Sequence, residues 1–285
     1  MTGWHVWIDG ALLEEARARV SPFDRGVLTG HGVFETLRIY GGVPFAATRH
    51  LARLERSAAV LGLPVPDRPL LGAAMAEVVA ANGLGEGRLR ITVTGGPAPL
   101  GSAPGRPAWP EPRAQSSSTV IVAASPMPPW PVSTPVVTVP WPRNDRGALA
   151  GVKSISYGEN VVALAYAHER GAGEAIFPNL AGNLCEGTGT NVFVGIGGRL
   201  ITPPLSAGCL AGVTRDLLLE VAEVVEDDLP LTALAAADEA FLSSSTREVQ
   251  PIAMVDSVAL PAAPGPLTAA AATALARLVA ASSDP

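Results

Sequence analysis

The chain has 285 residues, enough for one large domain or two of ordinary size, and 48% are hydrophobic against 16% charged, so a sizeable core is expected. A net charge of −6 with no basic stripe argues against a nucleic-acid surface, and no uncharged apolar run is long enough to span a membrane. Residues 1–10 lack a basic segment followed by an apolar one, which points to a cytoplasmic protein. Cys185 and Cys209 are too far apart for a zinc ribbon or a CxxC pair, so no metal site is expected.

In chain order, residues 5–9 read as a strand, with Val6 and Ile8 alternating around Trp7. Residues 33–40 and 43–47 flank Gly41-Gly42, a hairpin signal. Residues 48–63 carry Leu51, Leu54, Ala58 and Leu61 at helical spacing, with Thr48 expected at the N-cap. The arginines of that stretch, Arg49, Arg53 and Arg56, read as a solvated face. A second helix is expected over 69–81, ending at Asn82-Gly83, with strands over 88–94 and 119–124. Residues 95–118, rich in Pro, Gly, Ala and Ser, read as a mobile surface loop. The stiffer PMPPWP run, residues 126–131, reads as an interdomain linker. This gives a small domain over 1–125 and a large one over 132–285.

The second half predicts strands over 135–140, 174–177, 191–195, 199–202 and 240–243. Helices are expected over 159–170, over 214–225 with Thr214 at the N-cap, and over 268–281. The mixture indicates an α+β protein of two domains with its site between them.

The chemistry begins with a compositional oddity. Lys and Arg together number 20, yet Lys153 is the only lysine. Arginine serves as well as lysine on a surface, but a guanidinium cannot become a neutral nucleophilic amine. A lysine retained against that bias is a candidate for amine chemistry, and a Schiff-base lysine needs partial desolvation to populate its neutral form. Tyr157, four residues on, is placed to reach the same centre. Glu186 precedes Gly-Thr-Gly-Thr-Asn191-Val-Phe193, so its carboxylate is expected in a tight pocket lined by backbone. Beside a pyridine nitrogen, such a carboxylate keeps the nitrogen protonated and the ring an electron sink. Gly208-Cys-Leu-Ala-Gly212-Val213-Thr214 sets glycines and a hydroxyl at a helix start, where free N–H groups bind anions. The run Ser243-Ser244-Ser245-Thr246 offers further hydroxyls, and Arg49 a cationic fork.

Taken in order, Arg49-His50-Leu51, Lys153, Glu186 with its Gly-Thr-Gly-Thr-Asn-Val-Phe, and Gly212-Val213-Thr214 resemble the class IV (fold-type IV) pyridoxal 5′-phosphate (PLP) enzymes. Phe23-Asp24-Arg25-Gly26 and Gly30-His31-Gly32-Val33-Phe34-Glu35-Thr36 fit the same pattern, and the resemblance spans roughly residues 4–255. It implies a small α/β domain and a larger pseudo-barrel domain with PLP between them, in a homodimer acting on a small-molecule amine. Residue by residue, it assigns Lys153 to the internal aldimine, Glu186 to the pyridine nitrogen and Tyr157 to the ring oxygen. Arg49, Val213, Thr214, Ser245 and Thr246 match the phosphate cup. Arg25, His31 and Arg90 are the candidate substrate contacts. The chain departs from the pattern at His31, commonly Asp, and at Gly95, where several lyases carry a substrate-binding arginine. His31 is accordingly expected to be a buried structural histidine. The overall flavour resembles aminodeoxychorismate lyases of high-GC bacteria, which release pyruvate and 4-aminobenzoate for folate biosynthesis. A transaminase for branched-chain or D-amino acids is the alternative.

Overall fold

The structure, a computed structural model, describes residues 3–101 and 118–285, so most of the expected 95–118 loop lies outside the described residues. The chain forms two compact units. The first comprises Met1–Pro128, Val152–Tyr157 and Asp284, and the second Pro129–Gly151, Gly158–Ser283 and Pro285.

The first unit contains β1 (His5–Ile8), β2 (Ala11–Glu14), α1 (Arg25–Thr29), β3 (Gly32–Tyr40), β4 (Val43–Pro44), α2 (Ala47–Val60), α3 (Arg68–Ala81), β5 (Gly87–Thr94) and β6 (Val120–Ser125). Its strands form an antiparallel sheet in the order β2-β1-β6-β5-β3-β4. Side chains alternate across a strand, so β3 and β5 sort their residues onto two faces. Val33, Leu37, Leu89, Ile91 and Val93 are fully buried in a core shared with Leu51, Leu54 and Ala58 of α2 and Leu71, Met75 and Val78 of α3. Each such side chain contributes roughly 1.5–3 kcal/mol by leaving water. Phe34, opposite Thr92, and Thr36, opposite Arg90, belong to the other face.

A late segment extends this sheet. Ser154 forms an antiparallel bridge with Val33, the Phe34 N–H donates to the Lys153 carbonyl (3.1 Å), and the Ile155 N–H donates to the Gly32 carbonyl (2.9 Å). Glycine is required at position 32. A Cβ there would lie 2.7 Å from Ile155 Cδ1 and 2.8 Å from the Val93 carbonyl oxygen.

The second unit contains β7 (Thr134–Thr138), α4 (Gly158–His168), β8 (Glu174–Pro178), β9 (Leu184–Gly187), β10 (Asn191–Ile196), β11 (Arg199–Thr202), α5 (Val213–Val221), β12 (Val224–Glu226), β13 (Glu239–Ser244), β14 (Glu248–Val255), β15 (Val258–Ala259) and α6 (Pro266–Ala281). Its nine-stranded sheet runs β12-β11-β10-β13-β14-β7-β8-β9, with β15 beside β14. The β11–β12, β14–β7 and β7–β8 pairs are parallel, and the rest are antiparallel. Mixed strand and helix content of this kind is the expected α+β class.

The helix starts differ from expectation. Thr48 is not the N-cap of α2; the chain enters that helix through Ala46, in the left-handed region (φ 53°). The carboxylate of Asp284, remote in sequence, accepts instead from the Thr48 N–H (3.0 Å) and hydroxyl (2.6 Å). Thr214 is likewise inside α5, whose N-cap is Gly212. That helix also stops at Val221, since residues 224–226 pair with β11 as β12. The helix α1 and the strands β2, β9, β12, β14 and β15 were not expected as elements.

Helix α1 exists because of its ends. Fully buried Asp24 accepts from the Gly26 N–H (2.7 Å) and from the Thr94 hydroxyl (2.8 Å), and Gly30 closes the helix in the left-handed region (φ 67°). Replacing Asp24 by alanine leaves both donors unpaired and is expected to cost about 1–2 kcal/mol. Thermal unfolding should show a midpoint several degrees lower for Asp24→Ala and a smaller loss for Asp24→Asn, which keeps an acceptor. Equal loss in the two variants would contradict the capping role.

Candidate active site

Lys153 is half-buried and reaches its place through the edge pairing with β3. Its own N–H donates to the Ser57 hydroxyl of α2 (3.2 Å), so its backbone is held on both sides, by Phe34 and by Ser57. Its Nζ lies 4.2 Å from the centroid of the Phe34 ring. The guanidinium carbon of Arg90 lies 3.7 Å from the same centroid, and the Tyr157 ring meets Phe34 edge-on at 5.4 Å and 79°. Three of the expected site residues therefore gather on one aromatic ring of the first unit. Tyr157 lies in the irregular stretch immediately before α4, which begins at Gly158. Arg90 also donates from Nε to Thr92 Oγ1 (3.1 Å), and desolvation by its surroundings lowers its pKa against the opposing pull of Tyr157.

Arg25 and His31, the other expected substrate contacts, lie at the two ends of the α1 turn and meet at Gly95. A Cβ on Gly95 would fall 2.3 Å from His31 Nδ1 and 3.2 Å from Arg25 Cδ. The imidazole is pinned from its far side, with Nε2 3.0 Å from the Leu61 carbonyl oxygen. His31 is partly rather than fully buried, which corrects the expectation of a buried histidine. The two departures from the family pattern, His31 and Gly95, are thus in direct contact, because the ring occupies the space of a side chain at 95.

The arginines of α2 do not form one solvated face. Arg56 is exposed and Arg49 half-buried, but Arg53 is buried at 5% exposure. Arg53 grips the fully buried Glu35 through Nε (2.8 Å) and Nη2 (2.7 Å), while His50 Nδ1 lies 2.7 Å from the same carboxylate. Burial alone would raise the pKa of Glu35, but Arg53 and His50 outweigh it and hold the carboxyl at about 2. Burial lowers the pKa of His50 despite that partner. Sequence reading missed this cluster, whose only signal was a charged residue in the middle of an otherwise apolar strand row.

In the second unit, Glu186 on β9 is nearly enclosed, with its side chain 13% exposed. Its carboxylate accepts from the Leu210 N–H (2.9 Å) and pairs with Arg143 Nε (3.0 Å). Arg143 is itself stacked on Phe177 (4.1 Å) and bonded to Asn160 Oδ1 (2.7 Å). The threonines after Glu186 turn inward. Buried Glu174 accepts from the Thr188 N–H (3.1 Å) and hydroxyl and from the Thr190 hydroxyl (3.3 Å). Burial, followed by the charge of Glu186, raises the Cys185 thiol well above its ordinary range, so this cysteine is no nucleophile.

Two anion-suited features lie in the same unit. Helix α5 begins at Val213 and Thr214, and its N-cap Gly212 supplies no side-chain cap to the first turn. Gly212 is itself obligatory, since a Cβ would fall 2.0 Å from Asn191 Oδ1. Ser245 and Thr246 form the turn between β13 and β14, and Arg247, paired with Glu174 at 3.6 Å and stacked on Trp130 at 4.0 Å, secures it.

Taken separately, the first unit offers an amine, and the second offers an ion-paired carboxylate, a helix start without a side-chain cap and a hydroxyl-bearing turn. The comparisons with known proteins show the family. Residues 32–255 match the model of the family described as amino-transferase class IV. The chain is 34% identical over 260 residues to a Methanocaldococcus jannaschii protein named as a branched-chain-amino-acid aminotransferase, covering 88% of each. It is 32% identical to the D-alanine aminotransferase of Bacillus licheniformis, over 95% of each, and 30% identical to the aminodeoxychorismate lyase of Bacillus subtilis, over 89% of this chain and 87% of that one. The branched-chain aminotransferase structure from Thermoproteus uzoniensis superposes with a TM-score of 0.86 at 31% identity, covering 97% of this chain and 94% of that one. The PLP-form enzyme from Thermobaculum terrenum gives a TM-score of 0.83 at 26% identity, covering 98% and 94%. The chain belongs to the class IV amino-transferase family, has the fold of its PLP enzymes, and uses pyridoxal 5′-phosphate as cofactor.

Proposed function

We propose that this chain is a cytoplasmic, homodimeric aminotransferase acting on a small amino acid. The observation that carries the reading is the pairing of amine and guanidinium on one ring, Lys153 Nζ 4.2 Å and Arg90 Cζ 3.7 Å from the Phe34 centroid. A group that handles the substrate's nitrogen and a fork suited to its carboxylate thus both contact the Phe34 ring. The small domain is proposed to span 1–125, the linker 126–131 and the large domain 132–285, with residues 152–157 of the latter packed into the first compact unit.

PLP, when bound, supplies an electron sink for the charge left on the substrate carbon. Lys153 would hold the cofactor, then use its freed Nζ to take the proton from the carbon bearing the substrate nitrogen. Glu186, ion-paired with Arg143 at 3.0 Å, would keep the pyridine nitrogen protonated. Tyr157 would donate to the ring oxygen. The N–H groups of Val213 and Thr214, with the hydroxyls of Thr214, Ser245 and Thr246, would donate to the phosphate. From α2, Arg49 is the proposed cation. Arg90 would clamp the carboxylate, with Arg25 and His31 bordering it.

The lyase reading is the second. It is favoured by the 30% identity to the Bacillus subtilis aminodeoxychorismate lyase and weakened by glycine at position 95, where the His31 ring occupies the space of an arginine. A lyase would release pyruvate from 4-amino-4-deoxychorismate with no acceptor. We expect amino transfer from an amino acid only when a 2-oxo acid is present, and no pyruvate from aminodeoxychorismate alone; acceptor-free pyruvate release would overturn the aminotransferase reading. The coupling behind this preference has its own test. Gly95→Ala should destabilise by about 1–3 kcal/mol through overpacking, and His31→Ala should restore most of that loss in the double variant. Additive losses would show that the contact does not limit position 95.

A further inference from the structure

We propose that Glu35 is a positioning residue for Lys153, tying together the two elements that hold the lysine backbone and balancing the guanidinium buried behind them. The proposal rests on the reading of Lys153 as the reactive amine. Lys153 takes one backbone hydrogen bond from Phe34, the immediate neighbour of Glu35 on β3, and gives the other to Ser57, one helical turn beyond Arg53 on α2. Glu35 joins those elements from inside the core, through Arg53 at 2.8 and 2.7 Å and His50 at 2.7 Å. Fully buried Glu35 and a 5% exposed Arg53 have little water to compensate them, so each is the other's neutralising charge.

That arrangement has an electrostatic consequence for the amine. The charged and ionisable groups on the elements about Lys153 are Tyr157 on its own segment, Arg88 and Arg90 on β5, Glu35, Arg38 and Tyr40 on β3, and Arg49, His50, Arg53, Glu55 and Arg56 on α2; of these, Glu35, His50 and Arg53 form the buried cluster. The charge on Lys153 acts on His50, so the cluster lies within electrostatic reach of the amine. With Glu35 ionised, His50 neutral and Arg53 charged, the cluster has no net charge. Without Glu35 it becomes a buried cation.

The single lysine makes this measurable in the full-length protein without cofactor. Reductive methylation with isotope-labelled formaldehyde places one side-chain reporter on Lys153, distinct from the α-amino group, and keeps its charge. Its titration is then followed by NMR. Glu35→Gln should lower the Lys153 midpoint by about one pH unit, as an uncompensated cation disfavours the ammonium form. Glu35→Gln with Arg53→Met removes both charges and should return the midpoint to within about 0.3 unit of the unsubstituted protein. An unmoved midpoint in Glu35→Gln, or displacement of both variants alike, would reduce the cluster to packing and overturn the proposal. If only the double variant folds, a displaced midpoint in it is sufficient to overturn it. Because no cofactor is present, the result is independent of whether PLP proves to be held at Lys153.

Discussion

The structure depends on an antiparallel pairing made late in the chain, in which residues 152–155 return to the edge of β3. Three contacts define it: the Val33–Ser154 bridge, Phe34 N–H to the Lys153 carbonyl, and Ile155 N–H to the Gly32 carbonyl. Register has parity, so a slip of one residue would send Lys153 to the opposite face. In the observed register, Lys153 shares its face with Phe34 and Arg90, while Val33 and Glu35 face the helices. The glycine at 32 is the local condition, since a Cβ there would collide with both Ile155 and the β5 backbone.

Charge is treated differently in the two units. In the first, Glu35, His50 and Arg53 lie in the core as a group without net charge, and the Lys153 amine is kept on the other face of the sheet. In the second, Glu186 is nearly enclosed with a committed cation, Arg143, and a backbone donor from Leu210. Those two partners fix the carboxylate in place, as the role proposed for it requires. Glu174 does different work: its acceptors fasten the turn that follows Glu186, and its pairing with Arg247 reaches the hydroxyl-bearing turn at 245–247. The turn after Glu186 and the hydroxyl-bearing turn therefore share one buried carboxylate.

Local chemistry was legible from the sequence. The Gly41-Gly42 hairpin follows from residues in the left-handed region (φ 55° and 83°), and the long apolar strands follow from alternation. Lys153 stood out by composition, and Glu186 by the small residues after it. What was not legible is non-local. The end of α2 is capped by a carboxylate 236 residues away, which no local capping rule finds, so Thr48 was assigned a role that Asp284 fills. Arg53 looked like a member of a surface row, because its partner Glu35 lies 18 residues upstream on a strand. The His31–Gly95 contact has the same character. Each position departs from the family pattern separately in sequence, and only the fold shows that one ring accounts for both. Short elements such as α1 and β9 went unseen because their stability comes from caps and neighbours rather than from periodicity.

The central claim is that Lys153 is the residue that binds the cofactor covalently. Borohydride reduction of the PLP-loaded protein followed by peptide mapping tests it most directly. The account predicts a stable phosphopyridoxyl label on Lys153 alone, and no visible or near-ultraviolet cofactor band in Lys153→Ala. A label confined to the α-amino group, or a protein that takes up no PLP, would contradict it.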